Sequence, residues 1–134
     1  MNKIAFYSLL FISVSIFGSK AFGQSPACFK FKEGKFKITD ANAGGITVID
    51  RRGGYQVENN EGMKATLKFR VTWLDDCTYT LKLDTILRNE NKIPFPTDMI
   101  LKVKILTTSA NSYTQESSSN LYNDVYKSEV VKIQ

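Results

Sequence analysis

The sequence has no histidine. That removes the base of Ser–His–Asp and Cys–His catalysis and the commonest protein metal ligand. Cysteine occurs only twice, and tryptophan once. No Gly-x-Ser-x-Gly elbow, phosphate-binding loop or Gly-x-Gly-x-x-Gly fingerprint is present, so the common hydrolase, nucleotide and dinucleotide chemistries have no anchor here. Long apolar runs are also scarce, the exception lying at the N-terminus.

That exception is Ile4 to Gly18, with Lys3 before it and Ala21-Phe22-Gly23 after it. A positive start, an apolar middle and small residues at the two positions read by a signal peptidase predict an export signal over residues 1–23. The expected cut falls between Gly23 and Gln24. The run is about 15 residues, short of the roughly 20 that a membrane span needs. An uncleaved anchor and lipidation at Cys28 are the alternatives. Cleavage leaves residues 24–134 as a single domain, with no stable membrane span. Losing Lys3 and Lys20 lowers the net charge from +5 to +3. The remaining charges alternate along the chain without forming the concentrated basic stripe of a nucleic-acid binder, so no nucleic-acid partner is expected. The predicted location is periplasmic or secreted.

An even cysteine count in an exported chain predicts a Cys28–Cys77 disulfide. Two buried thiols or a metal site are the alternatives. Structural zinc takes four Cys or His ligands, and this chain cannot supply them. Neither a metal nor a cofactor is expected.

The region that organises the fold is Lys64 to Leu87. Ala65, Leu67, Phe69, Val71 and Trp73 alternate with Lys64, Thr66, Lys68, Arg70 and Thr72. Cys77, Tyr79, Leu81 and Leu83 alternate with Thr78, Thr80, Lys82 and Asp84. Period two is the pattern of a half-buried strand, and Leu74-Asp75-Asp76 between the two runs suits a turn. Similar strands are predicted at Gly34–Asp40, Ile46–Arg51, Tyr55–Glu58, Met99–Thr108, Tyr113–Ser118 and Val125–Ile133. Gly53-Gly54 supplies a hairpin turn. Pro94 and Pro96 force an irregular loop over Arg88 to Asp98, with one helical turn expected near Thr97-Asp98. About eight strands with short connections and no convincing helix beyond the signal indicate an all-β antiparallel meander. The prediction is a lipocalin-like closed or partly open barrel, with an open sandwich as the alternative.

The candidate ligand-binding residues are Arg51, Arg52, Tyr55, Gln56 and Glu58. They flank one hairpin and offer bidentate donors, an amide and a carboxylate. The competing reading is cross-strand pairing on a wet sheet face. No catalytic residue is assigned. Asp75-Asp76 is the obvious carboxylate pair and reads as a turn former; Glu58 with Asp84 is a second pair that nothing in the pattern requires. Trp73 and Tyr79 read as core beside the disulfide.

Cys28-x-x-Phe31-Lys32-x-Gly34-Lys35-Phe36, Ile49-x-Arg51, Gln56-x-Glu58 and Val71-x-Trp73-x-x-x-Cys77-x-Tyr79-x-Leu81 resemble a family of small exported bacterial β-proteins of unknown function. The Trp-x-x-x-Cys-x-Tyr hairpin is the most specific piece. The resemblance implies no activity; some members bear a DNA topoisomerase IV label that these residues do not support. At the level of fold alone the pattern is similar to the lipocalins, with Gly34-Lys35-Phe36 where they carry Gly-x-Trp.

The sequence therefore points to an exported, non-enzymatic barrel that binds a small ligand or an envelope component. The alternative is a protein–protein interaction or inhibitor module acting on an envelope protein, through a predicted exposed patch at Ile93 to Pro96. A carboxylate hydrolase stands third.

Overall fold

The computed structural model describes residues 26–134. The predicted signal peptide lies outside them. Eight antiparallel strands run in sequence order and close into one barrel. They are β1 (Gly34–Asp40), β2 (Gly45–Arg52), β3 (Tyr55–Asn60), β4 (Ala65–Trp73), β5 (Thr78–Asn89), β6 (Ile100–Thr108), β7 (Ser112–Ser119) and β8 (Tyr126–Lys132). The predicted strands are all present, most within a residue or two of their expected ends. Closure, the feature that removes exposed edges, excludes the open sandwich. It is brief, since β1 and β8 share only Phe36 opposite Lys132 and Lys37 opposite Val131.

The central hairpin obeys the alternation except at Thr78, an outer-face position that is 7% exposed. Phe69, Val71, Tyr79 and Leu81 are buried, while Arg70, Thr72 and Lys82 are exposed. Leu67, Leu83 and Trp73 complete the inner face as partly buried neighbours. The pattern changes past Asp84. Register shifts near Leu67 and Phe69 place Leu67 opposite Ile86 and Lys68 opposite Thr85, so the run Thr85-Ile86-Leu87 could not be phased from its residue types. A bulge of this kind bends and twists the strand that carries it.

Alternating connections gather at opposite ends. The base holds the β2–β3, β4–β5 and β6–β7 turns, and Gly53 and Gly54 at φ +59° and +78° give the first of these its tight reversal. A 3-10 turn at Phe29–Phe31 plugs this end. Cys28 is disulfide-bonded to Cys77, which leaves no thiol for a lipid. Closing a loop of 49 residues stabilises a chain by about 4 kcal/mol through the unfolded state. The bond also fits an oxidising compartment. Inside the plug, Cys28, Phe31, Phe36, Ile49, Ile105, Tyr113 and Val130 form one buried cluster.

The mouth holds the other four connections. Asn60 pins its β3–β4 turn, donating to the Ala43 carbonyl at 2.9 Å and accepting from the Met63 N–H at 2.9 Å. Asn89 pins the proline-containing loop by exchanging hydrogen bonds with the Ile93 backbone at 2.8 and 2.9 Å. Thr97-Asp98 is a turn, not a helix. No helix among the described residues is long and apolar enough to cross a membrane.

Candidate functional site

The two-residue turn at Gly53-Gly54 places Arg52 opposite Tyr55 and Arg51 opposite Gln56. Strand alternation then divides the five candidate residues. Arg51, Gln56 and Glu58 point into the barrel. Arg52 and Tyr55 stay on the outer wall, where Arg52 Nε donates to Asp50 Oδ1 at 2.7 Å and Arg70 Nη2 donates to the Tyr55 hydroxyl at 3.2 Å. For those two the wet-face reading describes what is found.

Arg51 is 2% exposed. Its Nε donates to Gln56 Oε1 at 2.7 Å, its Nη1 to the Phe31 carbonyl at 2.8 Å, and its Nη2 to the hydroxyls of Tyr79 and Tyr113 at 2.8 and 3.0 Å. The guanidinium lies 4.6 Å from the Tyr79 ring centre and 4.9 Å from that of Phe36, close enough for cation–π attraction. Burial works against its charge, yet the tyrosine oxygens and Glu58 hold its pKa above the ordinary arginine value. A buried cation costs several kcal/mol unless partners satisfy it. Among the described residues no buried side-chain nitrogen or oxygen lacks a partner.

Gln56 relays this charge. Its Nε2 donates to Glu58 Oε1 at 2.7 Å, so cation and carboxylate are separated by one amide. Burial pushes the Glu58 carboxyl above its ordinary range; the Gln56 hydrogen bond and the Arg51 charge offset only part of that. A second branch runs from the Tyr79 hydroxyl to Gln115 Oε1 at 3.5 Å, and from Gln115 Nε2 to the Ser128 hydroxyl at 3.1 Å. Burial also raises the Tyr79 phenol well above its usual value. The network therefore starts at the base, where it is full, and ends toward the mouth at Glu58 and Ser128, both half-buried.

Tyr113, Gln115 and the Phe31 carbonyl belong to this network and carried no mark in the sequence. Tyr113 and Gln115 sit in a Ser/Thr-rich stretch that reads as polar surface, and period two along β7 is their only trace. Trp73 packs 4.6 Å from Tyr79 between ring centres as part of the core.

The two carboxylate pairs separate. Asp75 and Asp76 are exposed in the β4–β5 turn, where Asp75 Oδ1 accepts from the Cys77 N–H at 2.9 Å. Glu58 faces inward, while Asp84 faces outward, 4.0 Å from Arg70.

The barrel's lower half is filled, but its mouth is not. A cleft of about 230 Å³ lies between Met99, Leu101, Tyr122, Tyr126 and the serines 117–119, with Asp124 on its margin. Met99 and Leu101 also line a narrow continuation of about 20 Å³ over Leu67, Phe69, Leu81 and Leu83. Phe95 and Pro96 roof that continuation. This corrects the expected exposed patch at Ile93 to Pro96, because Pro94 alone of the four is exposed and the other three are half-buried. Larger grooves of about 350 and 470 Å³ run along the base and the β1–β8 seam, lined mainly by charged and polar side chains.

A scan against protein-family models and searches of curated proteins and solved structures returned no match to this chain.

Proposed function

We propose that the protein is an exported, non-enzymatic β-barrel that binds a small apolar or amphipathic molecule at its mouth. One observation carries the reading: the cleft of about 230 Å³ bounded by Met99, Leu101, Tyr122 and Tyr126, set in a barrel whose other end is packed shut. Pockets for drug-sized ligands run to about 300–1,000 Å³, so this one suits a smaller molecule, such as a short acyl chain or a compact aromatic amine. The thioether of Met99 adapts to different shapes, and the tyrosine rings and serine hydroxyls give the rim an amphipathic character. Export is supported by the sequence of residues 1–23 and by the Cys28–Cys77 bond. The absence of chemistry is supported by the lack of histidine and by the opposite facing of Glu58 and Asp84.

The test is titration with the neutral dye N-phenyl-1-naphthylamine, followed by fluorescence, together with mass spectrometry of solvent extracts of the protein. Saturable dye binding is expected, and Met99→Trp, which fills the cleft, should weaken it by about tenfold, a loss near 1.4 kcal/mol. Clean extracts with no dye binding, or unchanged affinity in Met99→Trp, would remove the reading.

A further inference from the structure

Read along the chain, the cations are evenly spread; the strand register corrects that picture by gathering five of them on one wall. On the outer face of β4–β6, Arg70 lies opposite Lys82, Lys102 opposite Thr80, Lys104 opposite Thr78 and Lys68 opposite Thr85. Arg70, Lys82, Lys102 and Lys104 are exposed and Lys68 is half-buried. Among the described residues, Lys68, Lys82, Lys102 and Lys104 make no ion pair. The nearby acids are Asp84, 4.0 Å from Arg70, Glu116, opposite Lys104, and Asp75, close enough to feel the Lys104 charge. Asp98 stands at the rim, where its carbonyl accepts from Asn120 Nδ2 at 3.1 Å. Five cations against three carboxylates on the wall leave it net positive.

Toward the mouth the same wall becomes apolar. Ile100, opposite Lys82, is 40% exposed, and Leu87, the bulge residue between Ile86 and Arg88 at the rim of β5, is 55% exposed. The Asn120 N–H donates to the Ile100 carbonyl at 3.2 Å, which brings the exposed Leu121 to the same rim.

A soluble polyanion would use only the lysines and would leave these aliphatic side chains in water. A bilayer with anionic headgroups uses both. Its surface potential attracts the cations, and its acyl boundary accepts apolar side chains that lie at the interface. We propose that this wall, from Lys104 to Lys68 with Ile100, Leu87 and Leu121 at its rim, docks the barrel peripherally on an anionic lipid surface. The residues involved are distinct from those that fill or bound the mouth cleft, so dye binding and docking can fail separately.

The experiment is co-sedimentation of the purified protein with vesicles of phosphatidylglycerol in phosphatidylcholine, beside vesicles of phosphatidylcholine alone. Binding is expected only to the anionic vesicles and should weaken as salt is raised. The triple variant Lys82→Glu, Lys102→Glu, Lys104→Glu should lose at least about fivefold in affinity per lysine. The variant Leu87→Ser, Ile100→Ser should bind the same vesicles more weakly with an unchanged salt dependence. All five positions are exposed, and unaltered circular dichroism and Trp73 fluorescence confirm that both variants fold. Four results would overturn the proposal: no vesicle binding, equal binding to phosphatidylcholine, full binding by either variant, or binding to heparin without binding to vesicles.

Discussion

At the base of the barrel Phe31, Phe36, Ile49 and Val130 are all at most 2% exposed. At the mouth Leu67, Leu83, Met99 and Leu101 remain half-buried around a cleft. The base is closed by a disulfide, a 3-10 turn and a cation on β2 whose hydrogen bonds reach the Phe31 carbonyl and side chains of β3, β5 and β7. The mouth is held by the side chains of Asn60, Asn89, Asn91 and Asn120 and by a loop stiffened by Pro94 and Pro96. Its turns are also less relaxed. Both ends place glycines at positive φ, Gly53 and Gly54 at the base and Gly44 and Gly45 at the mouth, but the mouth also places Lys64 and Lys92 there, at φ 51° and 54°. Stability is thus concentrated at one end. The other end keeps the accessible apolar surface and weakly held loops from which binding sites are usually built.

The sharpest way to break this contrast is truncation at matched positions. Phe36→Ala at the base should cost about 3–5 kcal/mol, as fully buried aromatic truncations do. Leu83→Ala at the mouth should cost only about 1 kcal/mol, because a half-buried side chain surrenders less apolar area. Urea denaturation of both variants gives the comparison, and equal losses would dissolve it. Arg51→Met should also cost about 3–5 kcal/mol, since it strands the hydroxyls and amide that the guanidinium joins and leaves Glu58 without its cation.

Replacing both cysteines by serine should cost about 2–4 kcal/mol. Native-state hydrogen exchange should then show faster opening at Phe31, Lys35 and Ile105, with the amides of the mouth strands little changed. In the other direction, Lys64→Gly should stabilise the fold by up to about 1 kcal/mol, by relieving a left-handed backbone that glycine adopts freely.

The smallest expected effect is a slope with pH. Burial raises the Glu58 pKa in the fold, so the folded chain holds this proton more tightly than the unfolded chain does. Stability from this group is therefore fully present below its ordinary value of 4.5 and declines as pH rises through the raised one. Thermal unfolding across that range should show the decline in the native protein and a flatter profile in Glu58→Gln.

Much of the frame was legible in the sequence because it depends on near neighbours. Period two fixed the strands, Gly53-Gly54 and Leu74-Asp75-Asp76 marked turns, and the cysteine count named a pair. The candidate site was legible only by composition. Arg51, Gln56 and Glu58 were visible as a cluster of polar groups, but Tyr55 and Val57 are the more apolar pair on β3, and local patterning favours burying them. The structure buries the opposite face. Gln56 lies opposite both Arg51 and Phe69, and Glu58 lies opposite Ile49 and Leu67, so the inner faces of both neighbouring strands dictate which side of β3 turns in.

By itself, the amino-acid order determined eight extended segments, the reversals between them and the two sulfurs available for pairing, because backbone preferences and side-chain alternation act over a few residues. Tertiary structure alone decided that a cation enters an aromatic cage, that the mouth stays unfilled and that five positive side chains share one wall. Those features arise from register between strands distant in the chain, where a shift of one residue exchanges inside for outside.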